Sequence, residues 1–228
     1  MALYTIGDLH LSLAGDKPMD KFGETWQNHP EKLREGFQNL GKDDLTVLCG
    51  DLSWAMSLAE AEADFRFIHE LPGKKLILKG NHDYWWSTAT KAYKLFESKG
   101  FDSLEILHNN AVFWNDIAIC GTRGWFYEED HGTEHDRKMM FREIQRLETS
   151  LKAGGDREKI VFLHYPPVFR NYRCEEILHL LQEYGVRRCF YGHIHGRGIP
   201  LAYNGWIGST EFRLVSADAV GFAPFRIQ

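Results

Sequence analysis

Five short apolar runs in this chain each end in a polar cluster rich in Asp, Asn and His. Leu3–Ile6 runs into Gly7-Asp8-Leu9-His10, Leu45–Cys49 into Gly50-Asp51, and Lys75–Lys79 into Gly80-Asn81-His82-Asp83. Ile160–Leu163 ends at His164, and Arg188–Tyr191 runs into Gly192-His193-Ile194-His195. Such runs read as strands buried on both faces. In α/β sheets the functional crevice lies beyond the carboxyl ends of the strands. If these strands are neighbours, two Asp, one Asn and four or five His meet at one spot. A core has no use for that set of side chains, whereas a pair of divalent metal ions does.

Helical periodicity fills the gaps between the strands. Pro30 opens a helix with Leu33, Phe37 and Leu40 on one stripe, and further helices are predicted over about 58–70, 88–98, 140–151 and 175–184. Short strands are expected at 104–107, 111–114 and 117–120, the last two joined by the turn pair Asn115-Asp116, and the segment 124–137 reads as a loop. The tail is strand-rich, with Asn204-Gly205 read as its hairpin turn. The order βαβαβ, short strands, βαβ and a β-rich tail predicts an α/β fold. Its two mixed sheets would pack face to face with helices outside, as one domain over residues 1–228.

The formal charge of −5 over 228 residues argues against a protein built to grip long nucleic acid. None of the four cysteines forms a CxxC pair, so thiolate zinc sites are not expected, and apolar surroundings suit free thiols in a reducing compartment. No apolar stretch approaches the ~20 residues needed to span a bilayer, and no charged-then-apolar signal segment opens the chain. A cytoplasmic enzyme is the expectation.

Each polar cluster supplies a distinct kind of donor. Asp8 and His10 are two apart, as are His193 and His195; on extended backbone each pair would point the same way. Asp51 has two carboxylate oxygens with which to bridge two cations. Asn81 adds a neutral carbonyl oxygen and His164 another imidazole nitrogen. The mixed N/O set favours two transition-metal ions among Mn, Fe, Zn, Ni and Co. Taken alone, Asp-x-His is a loop feature, Gly-Asn-His-Asp a turn, and His164 a satisfied interior histidine; their joint occurrence is what points to metal.

Asp8-x-His10, Gly50-Asp51, Gly80-Asn81-His82-Asp83, His164 and Gly192-His193-x-His195 resemble, in order, the five blocks of the calcineurin-like metallophosphoesterases. The resemblance implies a four-layer α/β/β/α sandwich and a dinuclear site. One metal would take Asp8, His10, Asp51 and His195, and the other Asp51, Asn81, His164 and His193. It implies a phosphoesterase in which a hydroxide bridging the metals attacks phosphorus, so no Ser or Cys nucleophile is needed. His82, beside Asn81 but outside the ligand set, is the expected general acid. One departure stands out: Trp54 occupies the position where the phosphoprotein-phosphatase branch carries an acidic residue that orients the catalytic His. What orients His82 is then open, with Asp83 and Ser53 as the candidates.

For substrate contacts, Trp54, Trp85, Trp86 and Trp125 could stack on a nucleobase or simply pack under the loops. Arg123 could fork onto a phosphate oxygen or form a surface ion pair. Tyr127–Arg137 could be a lid or a solvated loop. Hydrolysis of a small phosphodiester is the first expectation. A phosphomonoesterase of the same fold acting on a nucleotide or other small phosphate ester comes second, and a non-catalytic metal-binding scaffold third. No membrane partner is expected, and the oligomeric state is not readable.

Overall fold

The computed structural model describes residues 1–15, 17–127 and 132–228. The first half of the chain runs β1 (Leu3–Ile6), α1 (His29–Phe37), β2 (Leu45–Cys49), α2 (Glu62–Glu70), β3 (Lys74–Leu78), α3 (Ala89–Lys99) and β4 (Leu104–Ile106). The second half runs β5 (Val112–Trp114), β6 (Ile117–Thr122), α4 (Glu134–Ala153), β7 (Glu158–Leu163), β8 (Val168–Phe169), β9 (Tyr172–Arg173), α5 (Glu175–Glu183) and β10 (Arg188–Tyr191). It closes with β11 (Gly205–Ile207), β12 (Thr210–Leu214) and β13 (Phe225–Arg226).

These strands form two mixed sheets, ordered β13-β1-β2-β3-β4 and β11-β12-β10-β7-β6-β5. Within each, the central strands are parallel and antiparallel strands lie at edges: β13 in the first, β11 and β5 in the second. The period-2 alternation of strand side chains explains why the runs carry almost no polar residues. Leu3, Val47, Cys49, Leu76 and Leu78 of one sheet meet Ile119, Ile160, Phe162 and Phe190 of the other in a core between the sheets. Their neighbours Ile6, Leu48 and Ile77 face outward onto Leu33, Phe37, Phe65, Ile68 and Phe96 of α1, α2 and α3. On the far side, Val161, Leu163, Cys189 and Tyr191 pack against Leu147 and Leu151 of α4 and Ile177 and Leu181 of α5. Three cores separate four layers, the α/β/β/α sandwich.

Three local expectations are corrected. The tail hairpin turns at Gly208-Ser209, between the paired Ile207 and Thr210, not at Asn204-Gly205; the Asn204 side chain instead accepts a hydrogen bond from the Leu214 amide. Helix α4 starts at Glu134 because Thr133 and Asp136 form a reciprocal capping box, so 134–137 belongs to the helix and not to a loop. Of the expected lid, residues 128–131 lie outside the described residues. Helix α2 begins at Glu62 rather than near 58, because the Glu60 and Ser57 side chains bond to the backbone amides of Met56 and Glu60. Among the described residues no helix is long and apolar enough to cross a membrane.

Lys75, on β3, is fully buried, and its Nζ donates to the carbonyls of His69, Leu71 and Gly73. These carbonyls lie at and beyond the carboxyl end of α2, where helical acceptors run out of partners. Lys75→Met keeps the aliphatic bulk but strands three buried acceptors. It is expected to lower unfolding stability by about 2 kcal/mol, read as a fall in urea midpoint with an unchanged slope.

Candidate metal centre

All five polar clusters emerge at the carboxyl ends of parallel strands: β1, β2 and β3 in the first sheet, β7 and β10 in the second. Asp8, His10 and His195 offer ligand atoms within 4.8 Å of one another, and so do Asp51, His164 and His193. Within the first group, His10 Nε2 lies 3.3 Å from His195 Nε2, and Asp8 Oδ1 lies 3.2 Å from His195 Nε2. The two groups adjoin where Asp8 Oδ1 lies 3.9 Å from His164 Nδ1. Asp51 Oδ2 reaches between the groups, 3.9 Å from His10 Nε2 and 3.5 Å from His164 Nε2. Asn81 joins the second group, with Oδ1 2.6 Å from His164 Nε2. The structure thus brings all seven expected ligands together.

The backbone does so differently from the expectation. Asp8, His10, Asp51 and His193 have φ of 61°, 47°, 52° and 71°, in the left-handed region, so of the paired residues only His195 keeps the extended backbone expected of all four. Non-glycine residues in that region carry strain, and Asp, Asn and His tolerate it best. Hydrogen bonds over-determine these turns. The Asp8 carboxylate accepts from the His193 amide at 3.0 Å to both oxygens, tying β1 to β10 across the two sheets. The flanking glycines make room: a Cβ on Gly192 would strike Asp8 Oδ2, and one on Gly80 would strike Asp51 Oδ1 and its amide nitrogen.

The donor set fits divalent cations. His164 Nδ1 lies 2.9 Å from the Cys49 carbonyl oxygen, which can only accept, so Nδ1 carries the hydrogen and Nε2 presents its lone pair toward Asn81 Oδ1 and Asp51. His195 repeats the scheme: Nδ1 donates to Asp218 Oδ1 at 2.9 Å, and Nε2 faces Asp8 and His10. His10 Nδ1 is buried with no hydrogen-bond partner. Lone pairs and carboxylates converging in this way repel one another unless a proton or a cation lies among them.

The titration directions carry the same signature. Burial pushes the Asp51 carboxyl up to about 7, with Asp83 and Asp8 adding to the rise against the pull of His164. Burial also opposes charge on Asp8, but His195, His164 and His10 overcome it and hold that carboxyl well below the usual carboxylate range. Burial keeps His10 neutral far below its ordinary value and lowers His193 to about 3, the latter helped by His164. His195 is likewise opposed by burial, yet Asp8 and Asp218 raise it to about 10.

His82 stands at the rim. Its amide donates to Asp51 Oδ1 at 2.7 Å, and its ring lies 4.5 Å from Trp54 and 5.9 Å from His10. Burial and the neighbouring His164 lower its pKa. Neither expected orienting residue touches its side chain. The Asp83 carboxylate takes the amides of Asp51, Leu52, Ser53 and Gly80, and Ser53 Oγ bonds to Asp64. His82 Nδ1 instead lies 3.3 Å from the Tyr84 hydroxyl, a residue the motif reading passed over.

The aromatic residues divide. Trp54 stacks on His10 with centroids 5.0 Å apart and forms one wall of a cavity of about 320 Å³ that opens over His10, Asp51, His82, His193 and His195. Met19, Phe22 and Trp26, from the polar-looking stretch after β1, supply its apolar side. Trp85 is buried beneath its loop, with its indole N–H on Asp83 and its ring against Phe65, so it does not face that cavity. Trp86 packs on His108 and Trp85, and Trp125 bonds to Asp136. The Arg123 carbonyl accepts from His164 and Tyr165, while its guanidinium lies over Trp125 and 3.6 Å from Glu143. Asp218 and Trp26 gave no local signal, because each reaches the site only through the tertiary fold.

No curated protein matches the chain in sequence. Solved structures share its fold at low identity. Protein AQ665 of Aquifex aeolicus, of unknown function, has a TM-score of 0.53 and 15% identity, covering 99% of this chain and 95% of its own. TT1561 of Thermus thermophilus has a TM-score of 0.58 and 14% identity, covering 95% and 89%. A phosphopantetheinyl hydrolase of Mycobacterium tuberculosis has a TM-score of 0.59 and 14% identity, covering 94% and 88%. The family model described as calcineurin-like phosphoesterase matches residues 1–197, the stretch that holds every one of the seven clustered residues and His82, and the chain belongs to that family.

Proposed function

We propose that this protein is a metal-dependent phosphodiesterase acting on small esters. Asp8, His10, Asp51 and His195 would hold one divalent ion, and Asp51, Asn81, His164 and His193 the other. The observation that carries the reading is Asp51, whose Oδ2 lies within 4 Å of an imidazole nitrogen from each group. When bound, such ions supply positive charge to the phosphoryl oxygens and acidify a coordinated water enough for it to act as nucleophile near neutral pH. The N/O donors suit Mn, Fe, Zn, Co or Ni.

The protein's own contribution is placement and a proton. In the overall reaction, water oxygen bonds to phosphorus, the bond from phosphorus to the leaving oxygen breaks, and His82 gives that oxygen a proton. Tyr84 and the face of Trp54 hold the imidazole in position. A lowered pKa makes His82 a stronger acid, and the negative charge of a bound ester draws it back toward protonation. The apolar wall of Met19, Phe22, Trp26 and Trp54 suits an organic group such as a nucleoside lying beside the scissile bond. The interleaved cores support one domain over residues 1–228. Four buried free thiols suit a reducing compartment, and with them we read the enzyme as cytoplasmic.

With added Mn²⁺ the protein is expected to hydrolyse bis(p-nitrophenyl) phosphate faster than p-nitrophenyl phosphate, and to lose activity when stripped of metal. The reverse preference would make it a monoesterase, and inactivity on both would overturn the reading. His82→Ala should retain metal, measured by elemental analysis, yet lose about 10²–10⁴-fold in kcat on an alkyl ester. Its loss on a p-nitrophenyl ester should be smaller. Asp218→Asn weakens the partner that fixes the His195 tautomer. Metal affinity should then fall about 10–100-fold, as measured by calorimetry.

A further inference from the structure

A second cavity, of about 330 Å³, is lined by Lys79 and Trp86, which flank the loop carrying Asn81 and His82. Arg123 and Arg146 complete its charged lining, together with one acid, Glu143. That acid is fully buried and already engaged. Thr122 Oγ1 donates to Oε2 at 2.5 Å, and Arg146 Nη1 to Oε1 at 2.5 Å, with Arg123 Nη2 3.6 Å from the same oxygen.

Among the described residues, one carboxylate therefore faces three cations. Lys79 is half-buried; the two buried lysines, Lys75 and Lys159, each spend their N–H groups on backbone carbonyls. Among the described residues Lys79 has no such carbonyl and no carboxylate within ion-pair distance. Arg123 Nε is also buried without a partner. Uncompensated positive charge partly withdrawn from water is costly, and an oxyanion is the ligand that offsets it. The volume admits a phosphate or carboxylate with part of its carrier but not a whole nucleotide beside it.

The cavity adjoins the metal centre through the backbone. Lys79 directly precedes Gly80-Asn81, and the Arg123 carbonyl accepts from the His164 amide at 3.1 Å. We propose that this cavity is an oxyanion-binding subsite that anchors a second phosphate or carboxylate next to the scissile ester. In the form where the substrate itself supplies that anion, the proposal rests on the phosphodiesterase reading; as a binding site it does not.

Calorimetry reads the site without turnover. Pyrophosphate titrated into the full chain, freed of metal on a chelating resin, should bind wild type and bind Arg146→Met and Lys79→Met about 10–100-fold more weakly. Arg146→Lys, which keeps the charge and the helix, should fall between. Equal affinity across these proteins, or none in wild type, overturns the proposal. The Mn²⁺-loaded enzyme then separates the sources, using glycerophosphoethanolamine and glycerophosphoserine as competitive inhibitors of bis(p-nitrophenyl) phosphate hydrolysis. These two diesters differ by one carboxylate. A substrate-borne anion makes glycerophosphoserine the better inhibitor by about tenfold or more in wild type, an advantage lost in Arg146→Met. A free anion instead leaves the pair equal, and added sulfate changes kcat/KM in wild type but not in Arg146→Met. If wild type binds pyrophosphate yet hydrolyses no ester, the phosphodiesterase reading falls and the anion site stands.

Discussion

The site depends on one carboxylate that none of the metal roles uses. Asp83 is fully buried and accepts five hydrogen bonds: the amides of Asp51, Leu52, Ser53 and Gly80, and the indole N–H of Trp85. Three of the five come from the loop after β2 and two from the loop after β3. A charged acceptor satisfied on this scale binds those loops together far more tightly than a neutral one would. It fixes where Asp51 stands relative to Asn81, and so fixes the spacing between the two ligand groups. It also explains how Asp51 keeps a left-handed conformation that costs about 1–3 kcal/mol in isolation.

Asp8 plays the matching part across the sandwich. Its carboxylate receives the His193 amide, so the first sheet grips the loop of the second at the point where the proposed ligands from both converge. A carboxylate that is at once a backbone acceptor and a proposed metal ligand couples the order of the loops to the occupancy of the site. Gly192 and Gly80 belong to this arrangement as absent side chains, since any Cβ there would occupy carboxylate space. The recurrence of Gly before four of the five polar clusters is a packing requirement first.

Much of this was legible in the sequence because parallel strands buried on both faces leave an unbroken apolar run, and their carboxyl ends share one edge of the sheet. Asp8, His10, Asp51, Asn81, His164, His193 and His195 could be gathered by that rule alone. What escaped it depends on contacts between distant segments. Asp218 lies in the return from β12 to β13 and gains meaning only beside His195. Met19 and Trp26 sit in a stretch without periodicity, yet two short 3₁₀ turns carry them to the site. Trp85 misled for the opposite reason: adjacency to a motif says nothing about which side of the loop a ring takes, and Asp83 claims its N–H from below. The extended-backbone argument for Asp8 and His10 reached the right neighbours through the wrong conformation.

The loop from Gly80 to Trp86 then has two different chemistries at its sides. His82 looks into a cavity with an aromatic and thioether wall, while Lys79 and Trp86 border one with surplus positive charge. Because Asp83 and Trp85 anchor the middle of that loop, neither side can move without disturbing Asp51. Proposed selectivity for the organic group and for a second anion would thus be read by one rigid element that also carries the proposed proton donor. If His82 is the proton donor we propose, that arrangement favours discrimination through kcat as well as KM, because a misfit on either side would displace it from the leaving oxygen. A scaffold that merely stored metal would gain nothing from holding His82 between the Asp51 carboxylate, the Tyr84 hydroxyl and the Trp54 ring.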